Sequence, residues 1–439
     1  MTTSATVTEV AAEKPKAKRV LRPIVVPGKI VQIESPVHDP LSYKEKNTIP
    51  GEIVLVDAVM SNGIVTVIDA KFLSKRFVKN GTKLKIVKKP DQQKFMETVR
   101  KSQKTISIYG PTKTLTGFDP EVFAVDKDGV VIPAFKYLPP KDSPIRFPNV
   151  AGISGENTIF WDGFQAEFAT VSASSCHAHS VDNIQRSLER IFNESRKFNP
   201  GSTLTHKCVL DVPFSMMQEC STEQSGLGCS PSKNVYGEKR HLESLNPSEL
   251  PFRFAGCHLH YGTGAEANNE LMVKMLDAIA GISSVAILSG MEDDRRREFY
   301  GLAGEYRLPK HGLEYRVLSS AVLAHPILMI FFLDFTRQIV GNAQKLSIIW
   351  DGNEDETQEV INTLDVEQAK KIIKRNEVTI KAMLYGCYGD TYSTKVFNLF
   401  DKGAMNCLPI GNMEENWLFN KYWTGHSNGD NCSVCRWVS

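Results

Sequence analysis

Apolar and polar positions between residues 20 and 104 alternate in short runs, as they do in β-strands. These runs cover residues 24–26, 30–33, 52–59, 63–68 and 83–87. Turn residues separate them, and Ser61-Asn62-Gly63 between two valine-rich runs predicts a hairpin. A linking helix is predicted over residues 92–103. The pattern therefore predicts a small all-β domain, a barrel or a sandwich, over residues 21–105, with a role in binding or oligomerisation.

The pattern changes beyond residue 105, where helical periods join the strand-like runs. Residues 181–197 place Ile184, Leu188 and Ile191 on one stripe, which predicts an amphipathic helix packed on a sheet. Residues 270–288 and 321–340 are more apolar and predict buried helices. This mixture of periods predicts an α+β body over residues 106–439.

Both ends of the chain depart from this regular pattern. Residues 1–20 are polar and end in a basic stretch, which predicts a disordered tail. Asp365, followed by Gln368, is typical of a capped helix start, and we expect this helix to run to Leu384. The segment after Tyr385 is rich in glycine, asparagine and aromatic residues, which predicts loops wrapped over the body.

The composition is typical of a large globular protein. The chain has 439 residues, of which 41% are hydrophobic and 23% charged. Lys and Arg number 52 against 50 Asp and Glu, so no overall field favours nucleic acid. The longest apolar run, residues 321–335, is shorter than the roughly 20 residues of a membrane span, and the start lacks a secretory signal. We expect a cytoplasmic protein without nucleic-acid or membrane partners.

Nine cysteines are scattered through the chain, which favours a reducing compartment over the dense disulfide framework of a small secreted domain. Cys432 and Cys435 form one CxxC pair near the end of the chain. We expect two free thiols there, and the alternative is a zinc site that His426 and Cys407 would complete.

Candidate chemistry begins where Asp119 and Glu121 stand two positions apart at the head of an apolar strand. Side chains at i and i+2 share one face of a strand. Two carboxylates on one face repel each other unless a cation or an arginine lies between them. A solvated strand edge is the alternative interpretation.

Two further segments place polar side chains in strand-like surroundings. Glu167 lies among aromatic residues and is a candidate acidic ligand, while Asp162 before Gly163 is typical of a turn. His258 and His260 form a His-x-His pair on one face of a predicted strand. This pair is a common arrangement in metal and phosphate sites.

A fourth segment repeats one spacing of acidic and basic residues, with Glu305 two before Arg307 and Glu314 two before Arg316. Cross-strand salt bridges would explain both pairs structurally. Together, however, the four segments supply oxygen ligands, imidazoles and arginines. Oxygen-rich sets suit Mg²⁺ or Mn²⁺, and arginines beside them suggest phosphate. Because the sequence has no P-loop and no kinase-type glycine loop, we expect the sheet and its metals to hold ATP.

The order of four motifs resembles that of a known family. The motifs are GFDPEVFAVDKDGVVIPA, WDGFQAEFA, AGCHLHYG and YGLAGEYRLPKHGLEYRVLS. They resemble the bacteriophage-encoded COOH-NH2 ligase (type 2) family, amidoligases of the glutamine synthetase and glutamate-cysteine ligase superfamily, over roughly residues 110–326. The resemblance implies a glutamine synthetase-like fold, a curved antiparallel sheet with helices behind it. It also implies that ATP phosphorylates a carboxylate and that an amine attacks the acyl phosphate to give an amide.

The resemblance further implies roles for individual residues. The implied metal ligands are Asp119, Glu121, Glu167, His258 and Glu314. His260 would lie near the nucleotide phosphates, and Arg307 and Arg316 would stabilise the transferring phosphoryl group. Glu305, Glu314 or a phosphate oxygen would take the proton of the amine. The chain departs from the superfamily pattern at Asp119, where the relatives use Glu in an E-x-E pair.

The resemblance leaves several functions and partners open. The substrates would be small-molecule or peptide carboxylates and amines, used in the host cytoplasm by a phage-encoded enzyme. Residues 21–105 would form a homo-oligomer or bind a virion partner. A virion or scaffold protein that reuses the fold without catalysis would bind no nucleotide. A metal-dependent hydrolase would act without ATP, and a guanidino kinase would leave no amide product.

Overall fold

The computed structural model describes residues 30–35, 53–59, 65–69, 75–78, 83–102, 114–148, 156–173, 177–226, 232–237, 246–264 and 266–419. The predicted tail, residues 1–20, and the Cys432 and Cys435 pair lie outside the described residues. Among the described helices, none combines the length and apolar character that a membrane span requires.

The first described strands form an antiparallel sheet. They are β1 (Ile30–Ser35), β2 (Ile53–Val59), β3 (Val65–Asp69), β4 (Lys75–Val78) and β5 (Lys83–Ile86), in the order β4-β3-β2-β1-β5. Strands β2 and β3 pair, as the hairpin prediction requires, and β4 is a strand that the pattern did not predict. The described strands form one open sheet, so the prediction of a closed barrel is wrong. Helix α1 (Lys89–Ser102) follows, as predicted.

A larger antiparallel sheet forms the body of the molecule. Its strands are β6 (Thr116–Val125), β7 (Val131–Ile132), β8 (Ile145–Pro148), β9 (Glu156–Asp162), β10 (Gln165–Ala173), β11 (Thr203–Thr205), β13 (Lys233–Asn234), β15 (Cys257–Gly262), β16 (Glu305–Arg307) and β17 (Gly312–Tyr315). Their order is β13-β16-β17-β15-β6-β10-β9-β8, and β7 and β11 also pair with β6. Strands β12 (Val209–Asp211) and β14 (Phe252–Phe254) form a separate pair. The fold is therefore mixed α+β with a large antiparallel sheet, as predicted.

The remaining elements are helical. They are α2 (His177–Phe198), α3 (Phe214–Gln218), α4 (Asn269–Leu276), α5 (Ile282–Ile287), α6 (Asp294–Phe299), α7 (Pro326–Ile349), α8 (Glu354–Thr363), α9 (Val366–Arg375), α10 (Glu377–Lys402), α11 (Ala404–Cys407) and α12 (Met413–Asn416). A π-helical turn, Asp277–Gly281, joins α4 to α5. Short 3-10 helices cover Ala134–Lys136, Pro247–Glu249 and Ser320–Ala324.

Most predicted helices are present, with different ends. Asp365 accepts a hydrogen bond from the Gln368 amide at 2.9 Å, which confirms the capped start, but this helix stops at Arg375 and α10 begins at Glu377. The prediction of loops after Tyr385 is wrong up to Lys402, because α10 continues there. Its buried apolar side chains follow the helical period at Tyr392, Val396, Leu399 and Phe400. This apolar stripe outweighs the low helix propensity of the glycines.

The two faces of the large sheet differ in character. On β6, Phe118 and Val122 belong to the main hydrophobic core, which includes Leu188 of α2, Leu276 of α4 and Phe332 of α7. Asp119 and Glu121 alternate with these residues and therefore lie on the opposite face. The helices cover one face of the sheet, and the acidic side chains lie on the other.

Candidate active site

Cross-strand register brings the predicted residues together on the face of the sheet that carries Asp119 and Glu121. The directly paired residues are Asp119 with His258, Glu121 with Glu167, His260 with Glu314, and Arg307 with Glu314. Residues directly opposite each other on antiparallel strands share one face. Strand β6 lies in the interior of the sheet and Glu121 is only 1% exposed, so the interpretation as a solvated strand edge is wrong.

Three of these side chains form a first ligand group, Asp119, His260 and Glu314, whose ligand atoms lie within 4.8 Å of one another. His260 Nε2 lies 2.8 Å from Asp119 Oδ1. His258 lies beside the same carboxylates, with its Nδ1 at 3.5 Å from Asp119 and 3.8 Å from Glu314. His260 therefore belongs to this group, and His258 borders it.

The charges of the first ligand group are set by contacts between its members. Burial opposes ionisation of Asp119, but hydrogen bonds and charge from His258 and His260 outweigh it and lower the pKa of this carboxyl group. Burial also opposes protonation of His260, but the hydrogen bond to Asp119 raises its pKa. Burial and the charge of Arg316 lower the pKa of His258 to about 4. His258 is therefore neutral at pH 7, the form in which an imidazole binds a metal.

A second ligand group consists of three carboxylates, Glu121, Asp162 and Glu167, with oxygens within 4.8 Å of one another. The Gly256 amide donates to Glu121 Oε2 at 2.6 Å. Burial, with the charge of Asp162, raises the pKa of Glu121 to about 8. Burial likewise raises the pKa of Glu167, with a contribution from Asp119, and that of Asp162. A cation bound among the three would favour their ionised forms.

Asp162 is a member of the second ligand group that the sequence interpretation assigned only to a turn. It ends β9, and Gly163, with φ of +64°, forms the tight turn into β10. Asp162 pairs with Gln165, so its side chain faces the same way as Glu167, two positions further on. The two-residue hairpin loop in the WDGFQAE motif was the signal for this arrangement.

Arginines and a tyrosine border the first ligand group. The Arg316 guanidinium contacts the Glu314 carboxylate and the Tyr300 hydroxyl, and its Nε donates to Ser232 Oγ at 3.0 Å. The Tyr300 hydroxyl also contacts His258 Nε2. Arg307 Nη1 lies 3.6 Å from Glu314 Oε1. Glu314 thus lies between two guanidinium groups. Tyr300, the first residue of the fourth motif, connects Arg316 to His258, a role that the sequence analysis did not predict.

Glu305 lies outside both ligand groups. Its carboxylate accepts a hydrogen bond from the Gly301 amide at 2.8 Å. Its backbone carbonyl accepts one from the Arg316 amide at 3.1 Å. These contacts fix the loop before β16 and the backbone of Arg316.

Part of the chain that carries these strands matches a known family. Residues 245–386 match the family model described as phage phiEco32-like COOH.NH2 ligase-type 2. The match supports the family that the four motifs resemble, and it suggests a carboxylate-amine ligase. It covers about a third of the chain, including β15, β16 and β17, whereas β6, β9 and β10 precede it. No curated protein matches the chain.

The two ligand groups fit divalent cations. The first ligand group offers two carboxylates and an imidazole, and the second offers three carboxylates. Mg²⁺ and Mn²⁺ prefer such oxygen-rich sets. The second group also places two buried acids and the half-buried Asp162 together, which is costly without a neighbouring positive charge.

A cleft of about 370 Å³ opens beside the first ligand group. Its lining residues are Leu115, Gly117, Phe118, Asp119, Ala169, Thr170, His260, Gly262 and His311. His311 Nε2 lies 2.9 Å from His260 Nδ1. Small residues at positions 117, 169 and 262 leave room for a ligand next to Asp119 and His260. His311 lies within the fourth motif, but residue spacing does not predict its contact with His260.

Proposed function

We propose that this protein is an ATP-dependent carboxylate-amine ligase that forms an amide through an acyl phosphate on a glutamine synthetase-like sheet. The observation that carries the proposal is the pair of adjacent ligand groups on one sheet face, bordered by two arginines, in a chain with a ligase-family match. The family resemblance supports a phage-encoded enzyme of the host cytoplasm. The substrates would be small-molecule or peptide carboxylates and amines.

The two ligand groups would hold Mg²⁺ or Mn²⁺ with the nucleotide. Asp119, His260 and Glu314 would supply one set of donors, and Glu121, Asp162 and Glu167 the other. The bound metal would neutralise phosphate charge and polarise the phosphoryl oxygens. His258 is a further candidate ligand, because its Nδ1 faces both Asp119 and Glu314.

The arginines would hold the transferring phosphoryl group. Arg316 is held in a fixed position by Glu314, Tyr300 and Ser232, and a guanidinium fixed in advance stabilises developing phosphoryl charge without reorganisation. Arg307 is 29% exposed at its side chain, so it can reach a ligand above the sheet. Together they would reduce the repulsion between the phosphates and the substrate carboxylate.

The amine must lose a proton before or during its attack. Glu314 lies on the site face beside both arginines, whereas the Glu305 carboxylate is bound to the Gly301 amide. The proposal therefore assigns the proton to Glu314 or to a phosphate oxygen rather than to Glu305.

Calorimetry of ATP binding with Mg²⁺ tests this function. The parent protein should bind ATP saturably, and Glu121→Gln should remove most of the affinity. The matched control is Glu359→Gln, which changes an exposed acid on α8. An intact parent that binds no nucleotide would contradict the ligase and favour a virion or scaffold role. Mass spectrometry of reactions with candidate amines then separates the alternatives, because only a ligase yields an amide together with ADP and phosphate.

A further inference from the structure

A turn before β8 places Lys141 beside the second ligand group. Pro140 forms an isolated bridge with Trp161, and the Ser143 amide donates to the Pro140 carbonyl at 3.1 Å. Trp161 directly precedes the ligand Asp162. The backbone at Lys141 is therefore anchored next to the carboxylates, independently of its side chain.

The Lys141 side chain reaches from this turn to Glu167. Its Nζ lies 3.3 Å from Glu167 Oε1 and 4.9 Å from the centre of the Phe160 ring. The lysine side chain is 68% exposed, whereas that of Glu167 is 5% exposed. A solvent-facing ammonium thus ends on a buried carboxylate of the second ligand group.

An ammonium and a divalent cation cannot share Glu167 without cost. Both are positive, and at a separation of a few ångströms they repel each other strongly where water is excluded. A divalent cation coordinates three carboxylates at once, whereas the ammonium contacts one, so the cation should displace it. Because the lysine stem is long and exposed, its charged end can move while the backbone stays in place.

We propose that Lys141 neutralises the second ligand group before metal binding and then binds a phosphate oxygen of the nucleotide. This inference rests on the proposed function, which places metal-bound phosphate above the same carboxylates. A displaced ammonium would lie within side-chain reach of that phosphate, and lysine binds phosphate as a point charge.

Mn²⁺ titration followed by electron paramagnetic resonance tests the first half of the proposal, with no nucleotide present. Lys141→Met should bind Mn²⁺ roughly three- to tenfold more tightly than the parent, because a competing charge is gone. Lys141→Arg, which keeps the charge, should resemble the parent. Lys127→Met is the matched control, since Lys127 is an exposed lysine in the turn that follows β6.

Titration of ATP at saturating Mn²⁺ tests the second half. Lys141→Met should bind ATP about tenfold more weakly despite its tighter metal binding, and Lys127→Met should not change. Unchanged Mn²⁺ affinity in Lys141→Met would overturn the competing-charge role, and unchanged ATP affinity would overturn the phosphate role. Either result leaves the ligase proposal intact if the parent binds both ligands. A folded parent that binds neither Mn²⁺ nor ATP would overturn the proposed function as well.

Discussion

Glu121 lies on an interior strand, and the Gly256 amide donates to its Oε2 at 2.6 Å. Burial and the charge of Asp162 raise its pKa to about 8, so the carboxyl group is largely protonated at neutral pH. An amide at this position resembles the protonated acid in shape and can still accept the Gly256 hydrogen bond. The amide, unlike the carboxyl group, cannot ionise to become a charged metal ligand.

Glu121→Gln should therefore separate folding from metal binding. We expect the free energy of unfolding at pH 7 to change by about 1 kcal/mol or less, because a hydrogen-bond acceptor is kept. The Mn²⁺ affinity should fall about tenfold or more, since one anionic oxygen ligand is lost. Urea unfolding and Mn²⁺ calorimetry measure the two quantities, and a variant with unchanged Mn²⁺ affinity would exclude Glu121 as a ligand.

A substitution of Arg316 tests whether ATP binding depends on the shape of this cation as well as on its charge. Its guanidinium contacts Glu314, Tyr300 and Ser232 at once, which an ammonium cannot reproduce. We expect Arg316→Lys to weaken ATP binding about tenfold in calorimetry, because a fork-shaped donor becomes a single point charge. Arg375→Lys changes a surface ion pair with Glu356 and provides the control. Equal ATP affinity in both variants would argue against phosphate binding by Arg316.

At the scale of elements, the π-helical turn between α4 and α5 connects the helices to the site strands. The Tyr315 hydroxyl donates to Asp277 Oδ1 at 2.7 Å, and Tyr315 directly follows the ligand Glu314 in β17. Burial raises the pKa of Asp277 to about 7, although hydrogen bonds from Tyr315 and Tyr236 oppose the shift. The element that supports Glu314 from behind therefore contains an acid that is protonated below neutral pH.

This raised pKa predicts how the stability of the protein changes with pH. The pKa of Asp277 is about 7 in the folded protein against 3.8 for an ordinary Asp, so the folded state holds its proton over a wider range. Its contribution to stability is fully present below pH 4 and is lost as the pH rises through about 7. The amide side chain of Asp277→Asn cannot ionise. As the pH rises from 5 to 8.5, the free energy of unfolding of this variant should therefore increase by about 1–4 kcal/mol relative to that of the parent. Urea midpoints at both pH values check this, and parallel pH curves would contradict it.

Features that depend only on neighbouring residues in the sequence could be predicted. The residue spacing predicted that Asp119 and Glu121 share a face, and that His258 and His260 do. Beyond Tyr385 the glycine content favours loops, but the apolar period of α10 outweighs it and the helix continues to Lys402. Cross-strand register, by contrast, depends on pairing between distant segments. It places Asp162 beside Glu121, while the turn before β8 places Lys141 beside Glu167, and neither contact follows from spacing along one strand.

At the scale of the whole molecule, the site is assembled from both halves of the chain. Strand β15 lies within the family match and pairs with β6, which precedes it. Helix α1 also contributes to the body, since Phe95 is buried in the main core. Helix α1 precedes the predicted boundary near residue 105, and through Phe95 it packs against the core of the body.

Truncation tests this assembly. A fragment of residues 88–439 keeps α1 and β6 and should retain Mn²⁺ binding within about twofold of the full chain. A fragment of residues 114–439 lacks Phe95 and should lose roughly 2–4 kcal/mol of unfolding free energy, as large core deletions do. Thermal unfolding and Mn²⁺ titration of both fragments provide the measurements. Equal stability of the two fragments would show that α1 is dispensable for the body.

The alternation of side chains along β6 also sets the distance between the two ligand groups. Asp119 belongs to the first ligand group and Glu121 to the second, and residues two apart on a strand are separated by about 6.6 Å along it. Peptide geometry, rather than any loop, therefore sets the interval between the two groups. A ligand that bridges them must match an interval that loop variation leaves unchanged, while insertion of a single residue between them would turn one carboxylate towards the helices.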